Sequence, residues 1–268
     1  MSGSGDATRP VTPTRYCPIV DYTDALVEQN RLFGEAIRDA DFTQPVPTCP
    51  EWTIQQLFRH VGRGDRWAAQ IVGEKRDSPA DPRQVPNGKP PEDLDGAIEW
   101  FHEGVRTLVD AVAETGPDTP VWTFTGPQPA SWWIRRRLHE STVHRADAEL
   151  ALGIPYHERP DLAADGVSEW LALIAARPAG PTSPLNDGAT LHLHAAEADL
   201  GSAGEWFIRG DEGAVVWDHR HAKADTAVRG QATNLLLAIS RRKTAEEADI
   251  EILGDRQVWD TWLERTQF

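Results

Sequence analysis

Glu140 and His144, within "RLHESTVHRADAELALG" (Arg137–Gly153), stand four residues apart. On a helix that spacing puts a carboxylate one turn before an imidazole, on one face. Ile134, Ser141, Ala148 and Leu152 share or flank the face, so the pair points to the interior of a helical bundle or to its rim. A buried carboxylate and imidazole need a partner because desolvation is costly, and a divalent cation is one such partner. His60, three residues after Leu57 and next to Val61 on a second apolar stripe, offers a third donor if the two helices face each other. Two imidazoles and one carboxylate are the ligand set of a catalytic zinc site with one position open. Iron, nickel or manganese would accept the same atoms. On spacing alone such a pair is most often a helix-surface ion pair. Of the nearby histidines, His139 is expected to point away from Glu140, and His102, beside Phe101, reads as an ordinary edge histidine.

These residues need helices to position them, and the first half of the chain supplies four candidates. The first spans about Tyr22 to Ala40, with Leu26, Phe33 and Ile37 on one stripe. The second is announced by "CPEWTIQQL", where Thr53 and Gln56 fit a capping box and Trp52 and Leu57 a hydrophobic staple. After the Pro-rich connector "EKRDSPADPRQVPNGKPP" comes the cleanest helical period in the chain. It runs through Leu94, Ile98, Phe101, Val105, Leu108, Val109 and Val112 and ends near Gly116. The fourth helix covers about Ser131 to Leu152 and is closed by Gly153 and Pro155. Four helices with two longer connections predict a four-helix bundle with a site between facing helices.

The second half changes character. A helix near Leu162–Ala176 and the breaker-rich "RPAGPTSPLNDG" precede short alternating runs, "TLHLHA", "EWFIRG", "AVVWDH" and "TAVRG". "QATNLLLAISRR" reads as a helix, "DIEILG" as a strand and "QVWDTWLERT" as a final helix. The fold class is therefore α+β, with a smaller, mainly antiparallel module after the bundle. The expected division is a flexible tail at 1–15, the bundle at 16–157 and the α+β module at 158–268, with the seam between about Pro155 and Asp161.

Bulk properties narrow the function. The chain has 268 residues and a net charge of −15, a surface that repels nucleic acid. No run approaches a membrane span, and the N-terminus lacks the apolar segment of a secretory signal. Two cysteines, Cys17 and Cys49, make no disulfide framework, and a cytoplasmic protein with reduced thiols is the simplest reading. Eleven tryptophans against one methionine indicate rigid aromatic packing. His192 and His194 share one face of a strand, and His219 and His221 are near in sequence. No carboxylate follows them at useful spacing, so they read as sheet-surface histidines rather than a second metal site. Cys49 lies outside the first turn of the helix that follows it and reads as structural.

The segments "CPEWTIQQLFRHVG", "LHESTVHRADAELALG" and "VRGQATNLLLAISRR" resemble, in order, motifs of the mycothiol-dependent maleylpyruvate isomerase family. The resemblance implies a DinB-like metal-binding bundle followed by a sterol-carrier-like module. It implies metal ligands at His60, Glu140 and His144, with Arg145 and Asp147 as outer-shell or packing neighbours. It implies mycothiol, the low-molecular-weight thiol of actinobacteria, as cosubstrate beside a divalent metal, zinc first. The activity would be S-transfer to, or thiol-assisted isomerisation of, a small electrophile. Arg229 and Arg241 are the candidates for thiol or substrate contact, in a C-terminal module expected to close over the metal. Arg135–Arg136–Arg137 is either an attractor of anionic substrate or a solvated face. Gly62 and Gly64 either loosen the second helix or permit close packing. A metal-dependent hydrolase using activated water, and a non-catalytic binder of small ligands, are the competing functions.

Overall fold

Local signals set the helix starts. Thr53 Oγ1 accepts from the Gln56 amide while the Gln56 side chain accepts from the Thr53 amide, and this reciprocal cap begins α2 (Ile54–Gly73). Asp21 caps α1 (Tyr22–Ala36) and Asp93 caps α3 (Leu94–Thr115) through their carboxylates. Gly116 closes α3 at φ 94°, and Gly153 closes α4 (Trp132–Leu152) at φ 70°, conformations that favour glycine. The computed structural model describes residues 20–180 and 182–267. The expected 1–15 tail and Cys17 lie outside the described residues. Helix α1 ends four residues before the expected Ala40, because the Arg38 and Ala40 amides turn back onto the carbonyls of Glu35 and Ile37. That tightening keeps Ile37 fully buried.

Helices α1 to α4 pack as a bundle in which α2 touches α3 and α4, and α1 touches α3 and α4. Two apolar cores fill it. One is built around Phe33, Phe58 and Phe101, with Phe58 stacked on Phe101 at 4.7 Å between ring centres. The other gathers Leu26, Ile71, Leu108 and Trp133. Residues 117–130, read from sequence as turns, also hold a two-residue antiparallel pair, β1 (Pro120–Val121) with β2 (Gln128–Pro129). Trp122 on this connection packs against Trp67 and Trp133.

Pro160 at the first position opens α5 (Pro160–Ala175). The strands follow as β3 (Thr190–Ala195), β4 (Glu205–Asp211), β5 (Ala214–Asp218), β6 (Thr226–Gly230) and β7 (Glu251–Gly254). Helix α6 (Ala232–Ile239) sits between β6 and β7, and α7 (Arg256–Arg265) comes last. The sheet order is β5-β4-β3-β6-β7, antiparallel except for β3 beside β6. Strand alternation turns Leu191, Leu193, Trp206, Ile208 and Val228 inward onto Val167, Leu171, Leu235 and Trp262. The opposite face carries His192, His194, Glu205 and Phe207.

Gly62 and Gly64 serve close packing. A Cβ on Gly62 would lie 2.4 Å from Cζ3 of Trp100, and one on Gly64 2.7 Å from the Arg137 guanidinium. The Trp100 indole cannot yield easily, since its Nε1 donates to the Asn87 carbonyl at 2.6 Å. Gly62→Ala should therefore lower stability by about 1–2 kcal/mol despite the better helix propensity of alanine. Chemical denaturation is the measurement, and a more stable variant would show that the packing argument is wrong.

Candidate metal centre

Helices α2 and α4 bring His60, Glu140 and His144 together, with one donor atom from each within 4.8 Å of the others. Glu140 Oε2 stands 3.6 Å from His60 Nε2 and 3.5 Å from His144 Nε2. Those gaps are long for hydrogen bonds. They are close to the ~3.3 Å edge of a tetrahedron with ~2.0 Å bonds to nitrogen and oxygen. The donor set and its spacing thus fit a divalent cation. The His60 side chain retains 42% of its exposure against 11% for His144, so the centre opens to solvent past His60. Trp52 walls that side, its ring 4.7 Å from the His60 ring.

Each ligand candidate is held from behind. Asp147, fully buried one turn after His144, takes His144 Nδ1 at 2.7 Å and so leaves Nε2 facing Glu140. Arg136 holds Glu140 Oε1 and also reaches Glu169 of α5, so Oε2 faces the two histidines, with Arg137 Nη1 also 3.6 Å from it. Arg137 donates to Asp65 at 2.8 Å and to the Val61 carbonyl at 3.0 Å. Arg135 pairs with Asp165 at 2.9 Å, and buried His139 points away from Glu140 to the same carboxylate at 2.7 Å. The triple arginine is therefore neither a solvated face nor a free anion trap, since all three guanidinium groups are tied to carboxylates.

The charges respond to this setting. Burial works against the His144 imidazolium, but Asp147, Cys49 and Glu140 outweigh it and push its pKa up to about 10. For His60, burial dominates and moves the pKa down. Burial would raise Glu140, yet Arg136 and the two histidines hold it well below the ordinary carboxylate value. Cys49 Sγ lies 3.6 Å from Asp147 Oδ2, at the edge of the same group. Its position beside the centre was not foreseen, because it depends on how the 44–53 turn folds back over α4.

The two residues flanking His144 in the "HR-x-D" run separate. Asp147 supports His144, whereas Arg145 faces away from the triad. Arg145 donates to Gln29 at 2.9 Å, to Glu149 at 2.7 Å, and to the His157 carbonyl and Glu158 carboxylate of the link after α4. It clamps the bundle to the link, and its hydrogen bonds go to none of His60, Glu140 and His144. His102 is tied to Asn30 at 2.6 Å, away from the site.

Sequence models of the "Mycothiol maleylpyruvate isomerase N-terminal domain" and the "MDMPI C-terminal domain" match residues 23–149 and 161–261, in that order. The chain belongs to the mycothiol-dependent maleylpyruvate isomerase family. A crystal structure of the mycothiol-dependent maleylpyruvate isomerase aligns with TM-score 0.53 and 14% identity, covering 84% of this chain and 89% of that one. A histidine-to-alanine mutant of that enzyme aligns with the same score and identity over 87% and 91%. At such identity these two structures share the fold. A segment of 139 residues is 28% identical to the beta-galactosidase Bga of Halorubrum lacusprofundi, but it spans 48% of this chain and only 19% of that protein.

The family's C-terminal module does reach the centre, through a residue that sequence reasoning missed. Arg242 donates Nε to Asp147 Oδ1 and Nη2 to Oδ2, both at 3.0 Å. Neither Arg229 nor Arg241 does so. Arg229 lies exposed on β6, in register with His194 and Glu251. Arg241 sits at φ 64° just past α6, where its own amide bonds the Ala238 carbonyl and the Arg242 amide bonds that of Leu237. This is a Schellman turn with arginine where glycine is usual. It throws the Arg241 side chain outward and swings Arg242 back onto α4. A basic pair after a helix is the only sequence signal, and choosing between its members requires the turn geometry.

Two outcomes follow. Arg241→Gly should stabilise the protein by about 1 kcal/mol through relief of the left-handed strain. Arg242→Gln should cost about 3 kcal/mol by taking the guanidinium from buried Asp147, which keeps only its His144 and Cys49 contacts. Urea denaturation of both variants measures this, and equal effects would contradict the assigned turn. Cation binding requires neutral imidazoles. At pH 8 His60, its pKa lowered, is already neutral, while His144, at about 10, must give up its proton. Zinc titration in weak buffer at pH 8 should thus release about one proton at this centre, with affinity rising as pH rises towards 10. PH-independent affinity between 7 and 9 would overturn the charge assignment.

Proposed function

We propose that this chain is a mycothiol-dependent metalloenzyme whose His60, Glu140 and His144 hold a divalent cation, zinc by its donor set. The observation carrying this reading is the pair of gaps around Glu140 Oε2, too long for hydrogen bonds and right for a shared cation. When bound, such a cation supplies positive charge that lowers the pKa of a thiol beside it.

The chain's own residues do the positioning. Asp147 fixes the His144 tautomer, with its proton on Nδ1. Arg136 keeps Oε1 of Glu140 occupied. Arg242 neutralises Asp147, so the charge behind His144 is balanced. Trp52 narrows the approach beside His60 and orients what enters.

The substrate is an electrophilic small molecule. Thiolate addition to an activated carbon–carbon double bond leaves a single bond that can rotate, and elimination restores the double bond and returns the thiol. Where elimination does not follow, the outcome is S-transfer. In this reading residues 16–157 carry the metal and 158–268 complete its surroundings. The net charge of −15 disfavours nucleic acid as a partner, and reduced Cys49 fits the cytoplasm. Among the described residues, no helix is long and apolar enough to cross a membrane.

His60→Ala and Glu140→Gln should each lower thiol-dependent turnover of an electrophile such as maleylpyruvate by more than about a hundredfold, the upper range for loss of an outer-shell partner. Both should lose cation affinity while keeping the native circular dichroism. Full thiol-dependent activity in either variant, or equal turnover with no thiol added, would refute the proposal.

A further inference from the structure

Four of the chain's nine histidines fall on β3 and the segment after β5. His192 and His194, two apart, share the outer face of β3. The antiparallel pairing sets Glu205 of β4 directly opposite His194. The carboxylate missing from the local sequence is thus delivered across strands. His221 comes over the same carboxylate from the connection between β5 and β6.

Three ring nitrogens converge on one carboxylate. His192 Nε2 lies 2.6 Å from Oε2, and His194 Nδ1 and His221 Nδ1 lie 2.9 and 3.1 Å from Oε1. One donor atom from each of the four residues lies within 4.8 Å of the rest. The three rings stand 5.1–6.0 Å apart and nearly perpendicular, at 77–88°. Their nitrogens therefore approach a common point from different directions. On the far side of His194, Arg229 faces Glu251 across β6 and β7.

We propose that His192, His194, Glu205 and His221 form a second divalent-cation site, of the zinc class, separate from the centre between α2 and α4. Three imidazoles and one carboxylate suit zinc and its borderline neighbours, and disfavour magnesium and calcium. Four protein donors close the coordination shell, which makes the site structural. Binding spreads the donors by under ~1 Å, from hydrogen-bond spacing to tetrahedral spacing.

The topology says what such an ion would hold. Strand β6 lies beyond β3 from β5, so residues 219–225 must cross the outer face of β4 and β3. That crossing is tied by His219 Nδ1 at 2.9 Å from the Glu205 carbonyl, by Arg220 over the Phe207 ring, and by Asp225 on Thr190. Its centre is joined to the sheet through His221, whose side chain is otherwise 74% exposed. A cation there staples the crossing to β3 and β4.

The test is zinc stoichiometry on tag-free, chelator-stripped full-length chain, by elemental analysis after gel filtration. Wild type should bind about two ions, His60→Ala about one, His221→Ala about one and the double variant none. His221 is on an exposed connection, so its replacement leaves the core intact. Zinc should also slow proteolysis within 219–225 in His60→Ala protein and not in the double variant. Unchanged stoichiometry in His221→Ala, or no zinc bound by His60→Ala, overturns the second site. A single ion lost with His221→Ala but kept with His60→Ala would support this site and overturn the proposed function instead.

Discussion

Helix α4 is buried on nearly every side and yet is dense in charge, and this constraint shapes the rest of the molecule. Arg136, Arg137, His139, His144, Arg145, Asp147 and Glu149 are all buried on one helix. An ion left unpaired in such surroundings costs several kcal/mol, so each must meet a counter-charge from whatever packs against it. The neighbours comply. Asp65 of α2 answers Arg137, Glu169 and Asp165 of α5 answer Arg136 and Arg135, and Glu158 of the link answers Arg145. The helix carries no one-sided apolar stripe, because it is an internal strut with charged rungs rather than an amphipathic surface element.

The same pairing joins the two halves of the chain. Asp147 stands between His144 of the bundle and Arg242 of the α+β module. The orientation of a candidate metal ligand therefore depends on a residue almost a hundred positions away, as the 95-residue separation of that pair records. Such a buried array adds little stability relative to an apolar core; what it gives the molecule is the geometry it imposes on Glu140 and His144.

Much of this architecture was legible in the sequence. The capping box at Thr53, the period of α3, the Gly153 stop and the succession of short strands all follow from local rules, which depend on residues within a turn or two. That His60, Glu140 and His144 could meet was also legible, two of them through helix spacing and the third through its place on the apolar stripe of the second helix and through family motifs; the cation they would hold is a proposal. What stayed hidden depends on contacts between elements distant in the chain. Glu205 belongs to its histidines only through the antiparallel register of β3 and β4. Arg242 was passed over for its neighbour Arg241 because only the left-handed turn decides which side chain faces α4. The triple arginine read as an anion attractor or a solvated face because its partners lie on α2 and α5, and pairing at that range leaves no periodic trace.

The two histidine–carboxylate groups make a controlled comparison inside one chain. Both join imidazoles to a glutamate, but their spacings differ. In the bundle, Arg136 pulls on one lobe of Glu140 and Asp147 on the far nitrogen of His144, so the facing atoms stay 3.5–3.6 Å apart. Among the described residues nothing comparable restrains Glu205 on the sheet, and its three histidines close to 2.6–3.1 Å. A cation entering the first finds its donors already apart, whereas at the second it must first break hydrogen bonds. Preorganisation favours the bundle centre by the cost of that opening. Asp147, Arg136 and Arg242 thus hold the donors of the proposed catalytic centre apart, whereas the closed spacing on the sheet fits the proposed staple.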